Sequence, residues 1–171
     1  MKFELTKVAK LALALSLTLC TQLALAGNDV DPKCISNGQD IGINNAEVIH
    51  WKHTTKNQFL ARAHVQGTVS KVFPDHSGHK HFEIKLDAGA GETLEIVYNL
   101  SFGKLPALAA GMPVEACGDY ITSNAATSAY PASPDGAILH WLHGTGKGQG
   151  SGLATAHDAG YLEISDVIYG Q

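Results

Sequence analysis

Cysteine is scarce in this chain: three in 171 residues, at positions 20, 34 and 117. Lysine and arginine are also few, 12 against 16 acidic residues, for a net charge of −4. Binding to a phosphate backbone depends on Lys and Arg, so this balance argues against a general nucleic-acid binder, while leaving a local basic groove open. Beyond the first 26 residues there is no apolar run near the ~20 residues that a bilayer span requires. The motifs of several enzyme classes are missing as well. There is no Gly-x-Ser-x-Gly elbow and no His-Glu-x-x-His, and the Gly-rich run Gly144–Gly152 lacks the Gly-Lys-Ser/Thr ending of a phosphate loop.

What opens the chain is a leader pattern. Lys2, Lys7 and Lys10 form a positive n-region, Leu11 to Leu19 is apolar, and Ala24-Leu25-Ala26 is an A-x-A-like cleavage site before Gly27. Residues 1–26 therefore read as a secretory signal peptide. An uncleaved anchor is the competing reading, and the short apolar stretch disfavours it. Cys20 follows Leu19, where a lipobox would carry a small residue. The mature chain, 27–171, is expected to be exported, periplasmic or secreted, with no membrane association after cleavage. Removing the three lysines and Glu4 of the leader leaves 9 basic and 15 acidic residues, a net charge of −6.

Export would leave Cys34 and Cys117 as a lone pair. In an oxidising compartment such a pair is expected to form a disulfide, the alternative being a thiolate site.

Against this background histidine stands out. The phrase His-Trp-x-His occurs twice, at His50-Trp51-Lys52-His53 and His140-Trp141-Leu142-His143, and His76-Ser77-Gly78-His79-Lys80-His81 lies between them. Seven of the nine histidines sit in these three clusters. Imidazole is the commonest metal ligand and the side chain that titrates near neutral pH.

Hydrophobic periodicity places the clusters. Asn44 or Asn45 can cap a short helix to about Lys56, which would make His50 and His53 neighbours on one surface. From Ala61 the period changes to two. Ala61 to Phe73 reads as a strand, with Gly67 allowing a bulge or bend. His79 to Leu86 alternates cleanly, with Phe82, Ile84 and Leu86 on one side and His79, His81, Glu83 and Lys85 on the other. Thr93 to Asn99 is a third strand. Ser101 to Ala110 is a Leu/Ala segment read as a short helix stopped by Gly111 and Pro113. Val114 to Ile121 and Ala137 to His143 are strands four and five, residues 122–136 a loop, and Tyr161 to Tyr169 a last strand. Three strands, a helix, then two strands is the order of an OB-fold, a five-stranded Greek-key barrel. The expected organisation is a signal peptide (1–26), an N-terminal extension with a short helix (27–60), and a mainly β, OB-like domain (61–171). A generic β-sandwich is the alternative.

Several segments in order resemble a family of exported bacterial proteins known only as the domain of unknown function 3465. They are Gly67-Thr68-Val69, His79-Lys80-His81-Phe82, Thr93-Leu94-Glu95-Ile96-Val97-Tyr98-Asn99-Leu100, Gly118-Asp119-Tyr120, and Gly136-Ala137-Ile138-Leu139-His140-Trp141-Leu142-His143. The resemblance covers residues from about 64 to 165. The chain departs from the family pattern at Tyr98 and Gly144, where the family usually has His. The resemblance implies export and a compact β domain, and carries no activity.

The residues themselves point to metal. His79 and His81, two apart on a strand, share a face with Glu83. Zinc takes four N, S or O ligands, and copper also favours imidazole. His140 and His143, three apart, point to opposite faces of a strand and can meet only if the strand ends near Trp141. The expected ligands are thus His79, His81, His140 and His143, with Glu83 as a fifth or supporting group, and the cofactor zinc or copper. His64, His76 and His157 read as structural or surface residues. The alternative is an OB-like module for an oligosaccharide or, less in keeping with the charge, an oligonucleotide, using Trp141, Tyr120, Tyr98 and Asn99. A metal-dependent hydrolase comes third, because it needs three converging ligands and an open coordination position. The chain as a whole reads as a binding protein, with no catalytic residue assigned.

Overall fold

A computed structural model describes residues 32–87, 91–144 and 157–171. The predicted signal peptide, part of the turn at 88–91 and most of the Gly-rich run lie outside the described residues. Residues 32–171 form one compact unit, which takes in residues 32–60 of the segment expected to be an extension. No helix among the described residues is long and apolar enough to cross a membrane.

The first elements among the described residues are a small hairpin, β1 (Ile35–Ser36) and β2 (Gln39–Asp40), followed by helix α1 (Asn45–Thr54). The long strand β3 (Leu60–Val72) comes next, then β4 (His79–Leu86) and β5 (Thr93–Asn99). A single 3-10 turn (Leu100–Phe102) leads through an irregular stretch to β6 (Pro113–Thr122) and β7 (Ala137–His140). The C-terminus is a second hairpin, β8 (Tyr161–Ile164) and β9 (Val167–Tyr169).

Five strands close into a barrel in the order β3-β4-β5-β7-β6, with β6 pairing back onto β3. All its pairings are antiparallel except β5 with β7, where Glu95 and Ile96 meet Ile138 and Leu139 in parallel. Strand β3 serves both halves. Leu60–Thr68 pairs with β6, and Gly67–Val72 pairs with β4. Gly67 sits where the strand passes from one partner to the other, and a Cβ there would fall on the Lys85 carbonyl oxygen. The bulge expected at Gly67 is displaced to the register shift between Val69 and Lys71.

Alternation fills the interior. Phe82, Ile84, Leu94, Ile96, Tyr98, Tyr120 and Leu139 are almost wholly buried in one cluster. Helix α1 closes one end of the barrel. Its Val48 is 0% exposed and Trp51 packs on Phe59 and Tyr120 at 5.8 and 5.5 Å between ring centroids. Burying one such aliphatic side chain contributes about 1.5–3 kcal/mol. The helix is pinned by Asn45 Nδ2 donating to the Gln66 carbonyl at 2.7 Å and Lys52 Nζ donating to that of Thr93 at 2.8 Å.

Two sequence expectations need correction here. Ser101 to Ala110 is not a helix beyond the 3-10 turn. Pro106 disfavours helical backbone at Leu105, and Gly103 takes φ 124°; Leu105 turns into the core instead. Tyr161 to Tyr169 is two strands, not one, reversed at Ser165 and Asp166, both of which have positive φ.

Cys34 and Cys117 are joined, and both are fully buried. The bond ties the N-terminal hairpin to β6. Arg62 reinforces it, its Nη1 donating to Asp119 Oδ1 at 2.9 Å, its Nε to the Ile35 carbonyl at 3.1 Å, and its Nη2 to Cys117 Sγ and the Ala159 carbonyl. His64 is structural, as expected of a lone histidine. Its Nδ1 donates to the Ile41 carbonyl at 2.9 Å, and its Nε2 lies 2.9 Å from both Glu115 Oε1 and the Tyr161 hydroxyl.

Candidate functional site

Strands β3, β5 and β7 end, and β4 begins, at the barrel end opposite α1. That directionality gathers six histidines. His76 is in the β3–β4 turn, His79 and His81 open β4, His140 ends β7, His143 follows it, and His157 precedes β8. On β4 and β7 the odd–even pattern sends Phe82, Ile84 and Leu139 inward, so His79, His81 and His140 stand on the outer face.

The local backbone explains the last motif. Strand β7 stops at His140, and Trp141 takes the left-handed conformation at φ 53°. Such a φ is uncommon for a bulky residue and is held by its surroundings. Gly160 holds it, since a Cβ there would fall on the Trp141 and Cys117 carbonyl oxygens; Gly160 N–H also donates to the His143 carbonyl at 2.8 Å. Gly118 does the same from β6, where a Cβ would meet the His140 carbonyl oxygen.

The rings form a continuous ribbon. His76 stacks on His81 at 3.8 Å between centroids, His81 and His79 are 6.3 Å apart, and His79 and His140 are 5.3 Å apart. Beyond them the His140 ring is 4.7 Å from Trp141, Trp141 is 5.9 Å from His157, and His157 is 5.0 Å from His143. His143 lies flat on Phe102 at 3.7 Å. His79 thus touches both His81 and His140, while the ring contacts from His140 to His143 pass through Trp141 and His157.

Hydrogen bonds fix the tautomers. A backbone carbonyl can only accept, so a ring nitrogen bonded to one carries the proton. His79 Nδ1 donates to the Ser77 carbonyl at 2.8 Å, and His81 Nδ1 lies 2.8 Å from Glu95 Oε1. In each neutral ring the lone pair is thus on Nε2. His81 is 6% exposed, and its Nε2 is buried without a hydrogen-bond partner. A buried polar atom left unpaired costs about 1–3 kcal/mol.

Burial favours the uncharged form of two of the rings, His140 and His143. Burial drives the His140 pKa down to about 4, and His79, His143, His157 and His81 add to the effect in that order. Burial also lowers His143, against the pull of its bond to the Gly144 carbonyl.

Glu95, not Glu83, is the carboxylate behind the histidines. It is 6% exposed, with Oε2 accepting from Ser133 Oγ at 2.6 Å. Glu83 is bonded elsewhere: its Oε1 accepts from Ser70 Oγ at 2.6 Å and its carboxylate lies beside Asp135. Residue-type reasoning missed Glu95, although a lone charge inside the apolar run Thr93–Asn99 was the signal. Asp135 completes this polar face. Its Oδ1 accepts from Thr93 Oγ1 at 2.6 Å, and its Oδ2 is buried without a donor.

Burial pushes the Asp135 pKa from 3.8 up to about 6; the Thr93 bond opposes this, and the neighbouring Glu83 carboxylate reinforces it. Between those pH values the native state holds a proton that the unfolded chain has released, so stability falls as pH rises through the window. Asp135→Asn, which cannot ionise and can donate to Glu83, is expected to lose that slope. In urea unfolding it should gain roughly 2 kcal/mol on the wild type between about pH 4 and pH 7. His140 contributes a slope of opposite sign to both proteins, which cancels in the difference. Parallel pH profiles would contradict the assignment.

Other sequence-predicted residues lie elsewhere. Tyr98 and Tyr120 are 1% and 0% exposed, so neither ring is presented for stacking as the polymer-binding alternative required. Asn99 caps the 3-10 turn, its Oδ1 accepting from Ser101 N–H at 2.9 Å. The first His-Trp-x-His is at the opposite end of the barrel, with His50 exposed and His53 Nε2 2.9 Å from Glu92 Oε1. His76 is exposed as expected, although its ring joins the ribbon. His157, read as a lone residue, also belongs to it.

Among the described residues, no three His, Cys, Asp or Glu side chains already stand in a metal-holding arrangement. No known protein family, curated protein or solved structure matches the chain.

Proposed function

We propose that this chain is an exported binding protein, built on an OB-like barrel, that takes a divalent transition metal, zinc or copper, through His79, His81 and His140. The barrel order supports the fold assignment. Numbering the five barrel strands in sequence gives 1-2-3-5-4-1, with strands 3 and 5 parallel. The histidines and Glu95 lie on strands 2, 3 and 5, and strands 2 and 3 form the face on which OB-folds bind ligands. The leader pattern and the buried disulfide support an oxidising, exported setting. The segment similarities to the domain of unknown function 3465 agree with that setting.

The observation that carries the metal reading is the buried, unpartnered Nε2 of His81, backed on its other nitrogen by Glu95. Metal-bound histidine almost always donates its second N–H to a carboxylate or carbonyl, which fixes the ring and raises its basicity. His79 has the same arrangement with the Ser77 carbonyl. Two imidazoles on one tetrahedral ion, with Zn–N about 2.0–2.1 Å, have ring centres roughly 5 Å apart, and His79 and His140 are at 5.3 Å. The lowered pKa of His140 favours the neutral ring that a metal needs. Bringing the His79 and His81 rings in from 6.3 Å to a like separation would complete three ligands, leaving a fourth position for water or a further ligand.

Glu95→Gln tests this without touching a ligand. It should weaken zinc binding about 10–100-fold, the usual effect of losing the supporting carboxylate, with little change in melting temperature. Calorimetry giving the wild-type affinity would remove Glu95, and with it the His81 argument, from the proposal.

A further inference from the structure

His143 and His157 have the same preparation as His79 and His81, and they meet His140 by way of Trp141. His143 Nδ1 donates to the Gly144 carbonyl at 2.9 Å, and His157 Nδ1 to that of Asp158 at 3.0 Å. Both rings, when neutral, therefore carry the lone pair on Nε2. Their centroids are 5.0 Å apart with planes at 87°, a separation that fits two imidazoles on one tetrahedral ion at roughly 5 Å.

The place is built rather than accidental. His143 is 5% exposed and backed by Phe102 at 3.7 Å, nearly parallel at 8°. Its backbone is gripped from both sides, Gly160 N–H donating to the His143 carbonyl and Gly144 N–H to that of Gly170. A Cβ on Gly170 would fall on the Leu142 carbonyl oxygen, so this contact requires glycine. His157 is held on the indole of Trp141, with planes 29° apart. The ring contacts from His140 to this pair run through Trp141.

We infer that His143 and His157 form a second station for a transition-metal ion, beside the indole of Trp141. Two imidazoles and solvent would complete its shell. Among first-row divalent ions Cu2+ binds such nitrogen sites most tightly, which makes it the probe of choice. The inference stands on its own geometry and does not require metal at His79, His81 and His140.

The test is Cu2+ titration of the metal-free, untagged mature protein carrying Trp51→Phe, which leaves Trp141 as the only indole. Stoichiometry is read by calorimetry and quenching by fluorescence. The expected result is two Cu2+ per chain. His79→Ala/His81→Ala should retain one, with Trp141 still quenched, and His143→Ala/His157→Ala should lose that one. If His143→Ala disturbs folding, His157→Gln alone, at the partly exposed ring, should weaken the same event by about 30-fold or more. Two ions retained by His143→Ala/His157→Ala would overturn the inference, as would none bound by His79→Ala/His81→Ala. One ion bound by the parent, unaffected by His79→Ala/His81→Ala and lost with His143→Ala/His157→Ala, would leave the second station standing while removing the first.

Discussion

The His79→Ala/His81→Ala protein is expected to bind zinc at least ~1,000-fold more weakly than the wild type at the first station while remaining folded. Two of three nitrogen ligands are removed, and changes to supporting groups alone typically cost 10–100-fold. Neither ring is part of the hydrophobic cluster that holds the barrel together, which is built from the opposite face of β4 with Phe82, Ile84 and Leu86. Removing His81 also removes its buried, unpaired Nε2, so part of the lost packing is offset. It also leaves the buried Glu95 carboxylate without its His81 partner, so metal-free stability should fall by roughly 1–3 kcal/mol. Far-UV circular dichroism and urea unfolding give the folding control, and calorimetry gives the affinity at that station. A wild-type affinity would remove both residues from the site.

The second large effect is on stability. Replacing Cys34 and Cys117 by alanine is expected to lower the unfolding free energy by ~4.5 kcal/mol. The bond closes a loop with a sequence separation of 83 residues, and the chain-entropy model gives a value of this size for such a loop. A domain of this length has roughly 5–15 kcal/mol in total, so the loss is about three-tenths or more. The hairpin β1–β2 should feel it most, since Arg62 would grip a strand no longer bonded to the barrel. Urea unfolding of the double variant, compared with the oxidised parent, measures the difference. A change under about 1 kcal/mol would mean that the Arg62 contacts alone fix the hairpin.

Much of the barrel was legible because period-two alternation is imposed by the pleat itself. His79–Leu86 and Thr93–Asn99 run as their alternation requires, and α1 starts at Asn45 as expected, although the Asn44 side chain accepts from His64 N–H and does not cap the helix. Pairing order was not legible, because it depends on contacts between residues far apart in the chain. The Ser101–Ala110 segment misled because its Leu/Ala content favours helix while Pro106 forbids one at that point. At the last motif the strand was read through to His143, whereas Trp141 turns left-handed under tertiary contacts from Gly160 and Gly118. That turn separates His143 from His140 and brings it to His157, a residue that nothing local in the sequence marks. Glu95 was hidden among apolar neighbours, and its partner His81 is 14 residues away.

The most direct test of metal binding is the metal content of the untagged protein, exported by its host, dialysed and analysed by elemental mass spectrometry. Zinc or copper near one or two equivalents per chain, reduced by His79→Ala/His81→Ala, is the predicted result. A protein that carries no such metal, and takes up none when titrated with zinc or Cu2+, would contradict the proposal and leave the histidine ribbon as a structural feature of the barrel end.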